Sequence, residues 1–163
     1  MKKYGAMLFC LAVLAGGAAQ SASAKENAQW QLLEENAAGE YYSDVTAFRR
    51  VEKKENAIQA RARIDLKDPG FIRLLTHHFG RKLTKDDKPA ACLLTVVLHL
   101  EDHTYRIENI QLLSQEGKTL EKKALKEDYK PIPKGTFLEN LEKEVQAWDI
   151  LGKGTIQRET KRI

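Results

Sequence analysis

The strongest constraint on the fold is a strict alternation of side chains between positions 91 and 101, with sequence ACLLTVVLHLE. Alternate positions in an extended chain point to opposite faces of a sheet, and β-branched residues favour strands. One face of this strand is entirely apolar and carries Cys92, Leu94, Val96, Leu98 and Leu100. The other face is partly apolar through Leu93 and Val97. The pattern therefore predicts a central strand that is covered on both sides.

The residues that follow predict a β-meander. Glu101, Asp102 and His103 have the composition of a turn, and Thr104 to Leu113 alternates again as a returning strand. Glu116-Gly117 is a second turn signal before a further strand at Thr119 and Leu120. Upstream, Ile58 to Leu66 alternates between apolar residues and polar ones that include Arg61 and Arg63. These strands have to pair with one another, so an antiparallel sheet is expected.

A helix is predicted near the carboxyl end. Thr136 and Glu139 have the spacing of a capping box. Apolar residues then recur on one helical stripe, namely Leu138, Leu141, Val145 and Trp148. Gly152 is expected to end this helix, and Phe71 to Phe79 is expected to form a short helix or an ordered loop. The predicted fold class is α+β, an antiparallel β-meander sheet packed by one C-terminal α-helix.

The amino-terminal residues predict export. Lys2 and Lys3 precede the apolar stretch 7–19, and Ala22-Ser23-Ala24 offers small residues to a signal peptidase. We expect residues 1–24 to be a cleaved signal peptide, residues 25–151 a single domain, and residues 152–163 a basic flexible tail. The mature chain then keeps one cysteine, Cys92, which is predicted to be a buried thiol. An exported protein of this kind works in the periplasm or at the cell surface.

Charge and motifs exclude several functions. Loss of Lys2 and Lys3 lowers the formal net charge from +4 to +2, with both signs mixed along the chain, so no nucleic-acid partner is expected. The sequence contains no motif for a catalytic or a cofactor site, and we expect neither enzyme activity nor a bound metal. The alternative is a small envelope metal-binding protein or enzyme that uses His99 and His103, which flank one turn and need at least a third ligand.

The candidate partner-binding residues lie in the connection between Lys67 and Lys88. This segment combines two aromatic side chains with a basic cluster, and such residues often anchor or steer an interface. The candidates are Phe71, Phe79, Arg81, Lys82, Lys85 and Lys88. Their partner would be a protein or an envelope component, and no transmembrane segment is expected once the signal is removed.

Several short motifs, in a fixed order, carry a resemblance to a known family. They are Trp30, Tyr41-Tyr42-Ser43-Asp44, Tyr105-Arg106-Ile107, Glu116-Gly117-Lys118 and Pro131-Ile132-Pro133-Lys134-Gly135-Thr136 leading into Leu138 and Leu141. Across residues 30–148 the chain resembles the surface-adhesin protein E family of exported bacterial proteins. Many members carry a cysteine pair that ties the sheet to the end of the helix, and this chain has no cysteine between Val145 and Ile150.

The resemblance implies an antiparallel sheet with a carboxy-terminal helix. It also implies a non-enzymatic surface protein, in some members an adhesin for host matrix or plasma proteins. The function expected from the sequence is therefore an exported binding protein of the bacterial envelope, with adhesin-like activity as the finer possibility.

The export prediction can be checked by intact-mass analysis of the protein recovered from the periplasm or the medium. We expect Lys25 as the first residue, because cleavage follows the small residue Ala24. Membrane-bound material that retains Met1 would contradict the prediction.

Overall fold

The structure is a computed structural model that describes residues 27–52 and 56–160. The described chain forms eight strands and two α-helices, with one short 3₁₀-helix at Gly80–Lys82. The strands are β1 (Trp30–Glu35), β2 (Gly39–Asp44), β3 (Arg49–Glu52), β4 (Ala57–Leu66), β5 (Pro89–His99), β6 (Thr104–Ser114), β7 (Thr119–Ala124) and β8 (Lys130–Pro131). The helices are α1 (Pro69–Phe79) and α2 (Phe137–Thr160). The proposed signal peptide lies outside the described residues.

All eight strands belong to one antiparallel sheet. Its order is β1-β2-β4-β5-β6-β7, with β3 paired to β4 beyond the end of β2, and β8 paired to β6. The longest pairings join β5 to β4 and β6, so the strand predicted to be central is central. Gly117 adopts φ +80 in the β6–β7 turn, a conformation that glycine reaches without steric cost.

The core lies on one face of the sheet. Ile58, Val96 and Ile110 are fully buried there. Both helices cover this face, because Leu75 of α1 and Leu141 of α2 join the same core cluster. The predicted fold class is confirmed, and the Phe71 to Phe79 segment is a helix whose amino end is capped by the Asp68 carboxylate.

Polar contacts fix α2 across the sheet in addition to its apolar stripe. Glu142 Oε1 lies 2.8 Å from His103 Nδ1 in the β5–β6 turn. Further along the helix, Glu144 accepts a hydrogen bond from the Ser43 hydroxyl, and Asp149 is paired with Arg50. These contacts span the helix from its second turn to its fourth, so they hold its orientation as well as its position.

Two details of the predicted helix are wrong. Gly152 does not end α2, which continues to Thr160; a glycine in a helix costs only about 1 kcal/mol relative to alanine and stops a helix only where the chain turns left-handed. The capping box also differs. The Thr136 hydroxyl donates to the carbonyl of Pro133, and the Glu139 carboxylate accepts from the backbone N–H of Gly135.

The second face of the sheet is covered more lightly. At one end Val97 is fully buried. Its cross-strand neighbour Arg106 lies over the ring of Tyr129, with 4.8 Å from the guanidinium carbon to the ring centroid. Near the middle of β5, Thr95 stays partly accessible. The prediction of cover on both sides therefore holds at the Val97 end, where long polar side chains supply the cover.

The Cys92 side chain is buried in the core, as the alternation predicted. No helix within residues 27–52 and 56–160 combines the length and the apolarity that crossing a membrane requires.

The burial of α2 gives a stability prediction. Leu141→Ala should lower the free energy of unfolding by about 2–5 kcal/mol, because the fully buried leucine leaves a cavity between helix and sheet. Lys143→Ala, on the exposed side of the same helix, is the matched control and should change it by less than about 1 kcal/mol. Urea unfolding measures both, and equal midpoints for Leu141→Ala and wild type would contradict the packing.

Candidate functional site

The structure places some of the sequence-predicted binding residues in the core and others on the surface. Phe79 is only 4% exposed, and Phe71 packs partly buried against the core, so Phe79 cannot anchor a partner from the surface. Phe79 and Leu75 are four residues apart in α1, so they lie on the same side of the helix, and both are buried in the core. Phe79 also has a cationic neighbour, since Lys82 Nζ lies 5.6 Å from its ring centroid.

The basic candidates separate into one engaged lysine and three exposed residues. Lys82 Nζ donates to the carbonyl of Leu120, at 2.6 Å, and lies 3.3 Å from the Glu121 carboxylate. It therefore ties the end of the α1 region to β7. Arg81, Lys85 and Lys88 are exposed, and they form what we call the basic loop surface.

A buried carboxylate organises the loop that carries Lys85 and Lys88. Asp87 is 6% exposed and accepts hydrogen bonds from the backbone N–H groups of Lys88, at 2.9 Å, and Glu116, at 3.2 Å. Burial raises the pKa of Asp87, but hydrogen bonds from the Ser114 side chain and from neighbouring backbone N–H groups outweigh burial and lower the pKa below its ordinary value. The loop is thus tied to the β6–β7 turn.

The two histidines of the alternative hypothesis point to different partners. His99 Nδ1 lies 3.1 Å from Asp102, whereas His103 Nδ1 lies 2.8 Å from Glu142 of α2. Within the residues that the structure describes, no three histidine, cysteine, aspartate or glutamate side chains are grouped as a metal site would need.

The more distinctive site lies on the sheet face that the helices leave uncovered, which we call the open face. Polar side chains from β2 to β6 line it, because they alternate with the core residues along each strand. They are Asp44, Arg49, Gln59, Arg61, Arg63, Thr95, Arg106, Asn109 and Gln111. The sequence pattern places Arg61 and Arg63 on the polar side of an alternating strand and does not single out Arg49, Thr95 or Asn109.

A cleft of about 530 Å³ opens on this face. Its floor includes Thr95 and Asn109, which are direct cross-strand partners on β5 and β6. Its walls come from the β2–β3 connection and from the segment that precedes β1. The described residues that line it are Asn27, Asp44, Thr46, Ala47, Arg49, Gln59, Arg61, Thr95 and Asn109. Among these described residues are two cations and one anion, so their summed formal charge is positive.

Asp44 shapes one wall of the cleft. It is 1% exposed, and its Oδ1 accepts from the Thr46 hydroxyl at 2.6 Å, the Thr46 N–H at 3.1 Å and the Gln29 N–H at 3.3 Å. Its other oxygen lies 3.7 Å from Nη1 of Arg61, whose guanidinium carbon is 5.9 Å from the ring centroid of Trp30. One carboxylate thus holds the β2–β3 connection and orients a cation.

A β-bulge and a chain of hydrogen bonds hold Gln59 and Arg49, two further lining residues of the cleft. Thr95 pairs with Asn109 and Val96 with Ile107, which leaves Glu108 as the extra residue. Its carboxylate accepts from Gln59 Nε2 at 2.8 Å and from Arg106 at 3.1 Å. Gln59 in turn accepts from Nε of Arg49. Bulges often redirect side chains next to functional sites. At this bulge, the Glu108 carboxylate ends a chain of hydrogen bonds that runs from Arg49 through Gln59.

The fold and the site together define a class: an α+β protein with a helix-covered core on one face of its sheet and a positively charged polar cleft on the other. No family model matches the chain, and no curated protein matches it by sequence.

Two solved structures of one protein are similar to it. Crystal form II of Haemophilus influenzae protein E gives a TM-score of 0.49 at 13% identity and covers 80% of this chain and 97% of that chain. The selenomethionine form of Haemophilus influenzae protein E gives 0.48 at 10% identity and covers 72% and 85%. Protein E gives its name to the family that the sequence motifs resemble.

Asp87 gives a pH prediction. Because its pKa is lowered in the folded state, its contribution to stability is complete above the unfolded pKa of about 3.9 and is lost as the pH falls through the lower folded value. Asp87→Asn should therefore be less stable than wild type at pH 6, and the difference should shrink as the pH falls below about 4. Thermal unfolding across this pH range checks the prediction, which a constant difference would contradict.

Proposed function

We propose that this protein is an exported, non-enzymatic binding protein of the bacterial envelope that holds a partner in the cleft of its open face. The observation that carries the proposal is that Arg49 and Arg61 line one cleft on the face that the helices leave uncovered. Guanidinium groups are well suited to bind anionic groups, since they offer several N–H donors in a fixed geometry. The partner is therefore expected to present an acidic group to this cleft.

The contacts that the charged side chains of the cleft make within the protein favour binding over catalysis. Asp44 is the carboxylate in the lining, and its oxygens already hold two backbone N–H groups, one hydroxyl and the Arg61 side chain. A general base has to reach a substrate proton, whereas this group is occupied in holding a wall. Arg49 is oriented by Gln59, as expected for a group that recognises a partner without reacting.

The basic loop surface has a supporting role in this proposal. Arg81, Lys85 and Lys88 are exposed and can attract an acidic partner over a distance, which raises the association rate more than the final affinity. Of the other sequence-predicted candidates, Phe71 is partly buried, Phe79 is part of the core, and Lys82 is bonded to β7. The proposed location is the periplasm or the cell surface, and adhesion to a host component is the finer form of the proposal.

Affinity capture with matched variants tests the open face. The mature protein is immobilised and exposed to envelope and host-matrix extracts, beside an Arg49→Gln, Arg61→Gln variant and an Arg63→Gln control. Arg63 lies on the same strand as Arg61 but pairs with Asp65 outside the cleft, at 2.6 Å. A partner should be retained by wild type and the control and reduced about tenfold or more by the double variant. Equal retention by all three would refute the proposed site.

A triple change of Arg81, Lys85 and Lys88 to serine separates steering from docking. It should slow association with the captured partner and flatten its salt dependence, while the dissociation rate stays close to that of wild type. Surface-plasmon measurements at two salt concentrations show this. An unchanged association rate would remove the basic loop surface from the proposal and leave the open face untouched.

A further inference from the structure

The cleft on the open face holds hydrogen-bonding capacity that the protein itself does not use. Within the described part of the chain, Arg49 uses only Nε for a protein partner, which is Gln59. The Thr95 hydroxyl and the Asn109 carboxamide form no side-chain hydrogen bond with any described residue, although they are adjacent on the cleft floor. The two terminal guanidinium nitrogens of Arg49, the Thr95 hydroxyl and the Asn109 carboxamide therefore belong to residues that line one cleft.

The arginines outside the cleft behave differently. Arg63 is paired with Asp65 at 2.6 Å, and Arg106 is paired with Glu108 at 3.1 Å while lying over Tyr129. Their charges are compensated on the sheet surface. Arg49 has no such carboxylate partner in residues 27–52 and 56–160. Its guanidinium group can therefore form an ion pair with a carboxylate of a ligand.

The size of the cleft and its charged groups limit the chemical class of ligand that fits it. Its volume of about 530 Å³ lies in the range of small-molecule sites and exceeds the space that one acidic side chain fills. Among the described lining residues, Asp44 lies 3.7 Å from Arg61, so Arg49 is the cation that can take one ligand carboxylate. Thr95 and Asn109 can both donate and accept, which suits hydroxyl groups next to that carboxylate.

We propose that the cleft binds the carboxylate-bearing sugar unit of an acidic saccharide, of the uronic-acid type. Arg49 pairs with the carboxylate, Arg61 lines the same cleft beside Asp44, and Thr95 and Asn109 bond the ring hydroxyls. An aspartate or glutamate side chain would satisfy Arg49 but would bring no hydroxyls to the cleft floor. This inference rests on the proposed function and names the ligand class of the same open face.

Nuclear magnetic resonance titration of the isotope-labelled mature chain tests the proposal with sodium D-glucuronate as the probe. Backbone amide shifts are expected in the cleft, at positions 44–49, 59–61, 95 and 109. D-Glucose keeps most of the hydroxyls without the carboxylate, and succinate keeps carboxylates without hydroxyls. Both should bind about tenfold more weakly or worse, because each lacks one half of the recognised chemistry.

Variants then assign the roles within the cleft. Arg49→Gln should weaken glucuronate binding about tenfold or more, and Thr95→Val, which removes the hydroxyl at nearly constant shape, should weaken it several-fold. Arg63→Gln should leave binding unchanged. The absence of shifts with glucuronate, or equal binding of succinate, would overturn the saccharide assignment. If a captured partner still depends on Arg49 and Arg61 in that case, the proposed function stands and an acidic protein segment is the occupant.

Discussion

The architecture depends on the burial of one apolar stripe of α2 against one face of the sheet. Leu141 and Val145 are fully buried between the helix and core residues such as Val96 and Ile110. This contact removes a large apolar area from water, which is the main favourable contribution to folding. The remaining polar contacts of α2, through Glu142 and its neighbours, select one orientation of the helix on a surface that it already covers.

One-sided burial has a direct consequence for function. Since both described helices cover the same face, side chains on the other face have to tolerate water, and their polarity follows from the pleat of the strands. Arginine, glutamine, threonine and asparagine side chains meet there on a rigid support. Recognition groups on strands are held more precisely than groups on loops, because the register of the sheet fixes their spacing.

Two buried aspartates hold the loops beside the two candidate surfaces. Asp44 ties the β2–β3 connection to the segment before β1 and orients Arg61. Asp87 ties the basic loop surface to the β6–β7 turn. A buried carboxylate is costly unless backbone N–H groups satisfy it, and satisfying it orders the chain around it. Each buried aspartate therefore fixes the backbone conformation of the exposed segment beside it.

The sequence by itself determined strands β4 to β7, their alternating faces, the central position of β5 and the existence of α2, because these follow from local periodicity and burial. Only the tertiary structure decided that Phe79 faces the core, that α2 continues past Gly152, and that Arg49 meets Thr95 and Asn109 in one cleft. The last of these outcomes depends on sheet register and on a bulge at Glu108, which bring together residues far apart in the chain. Local patterns contain no information about such distant pairings.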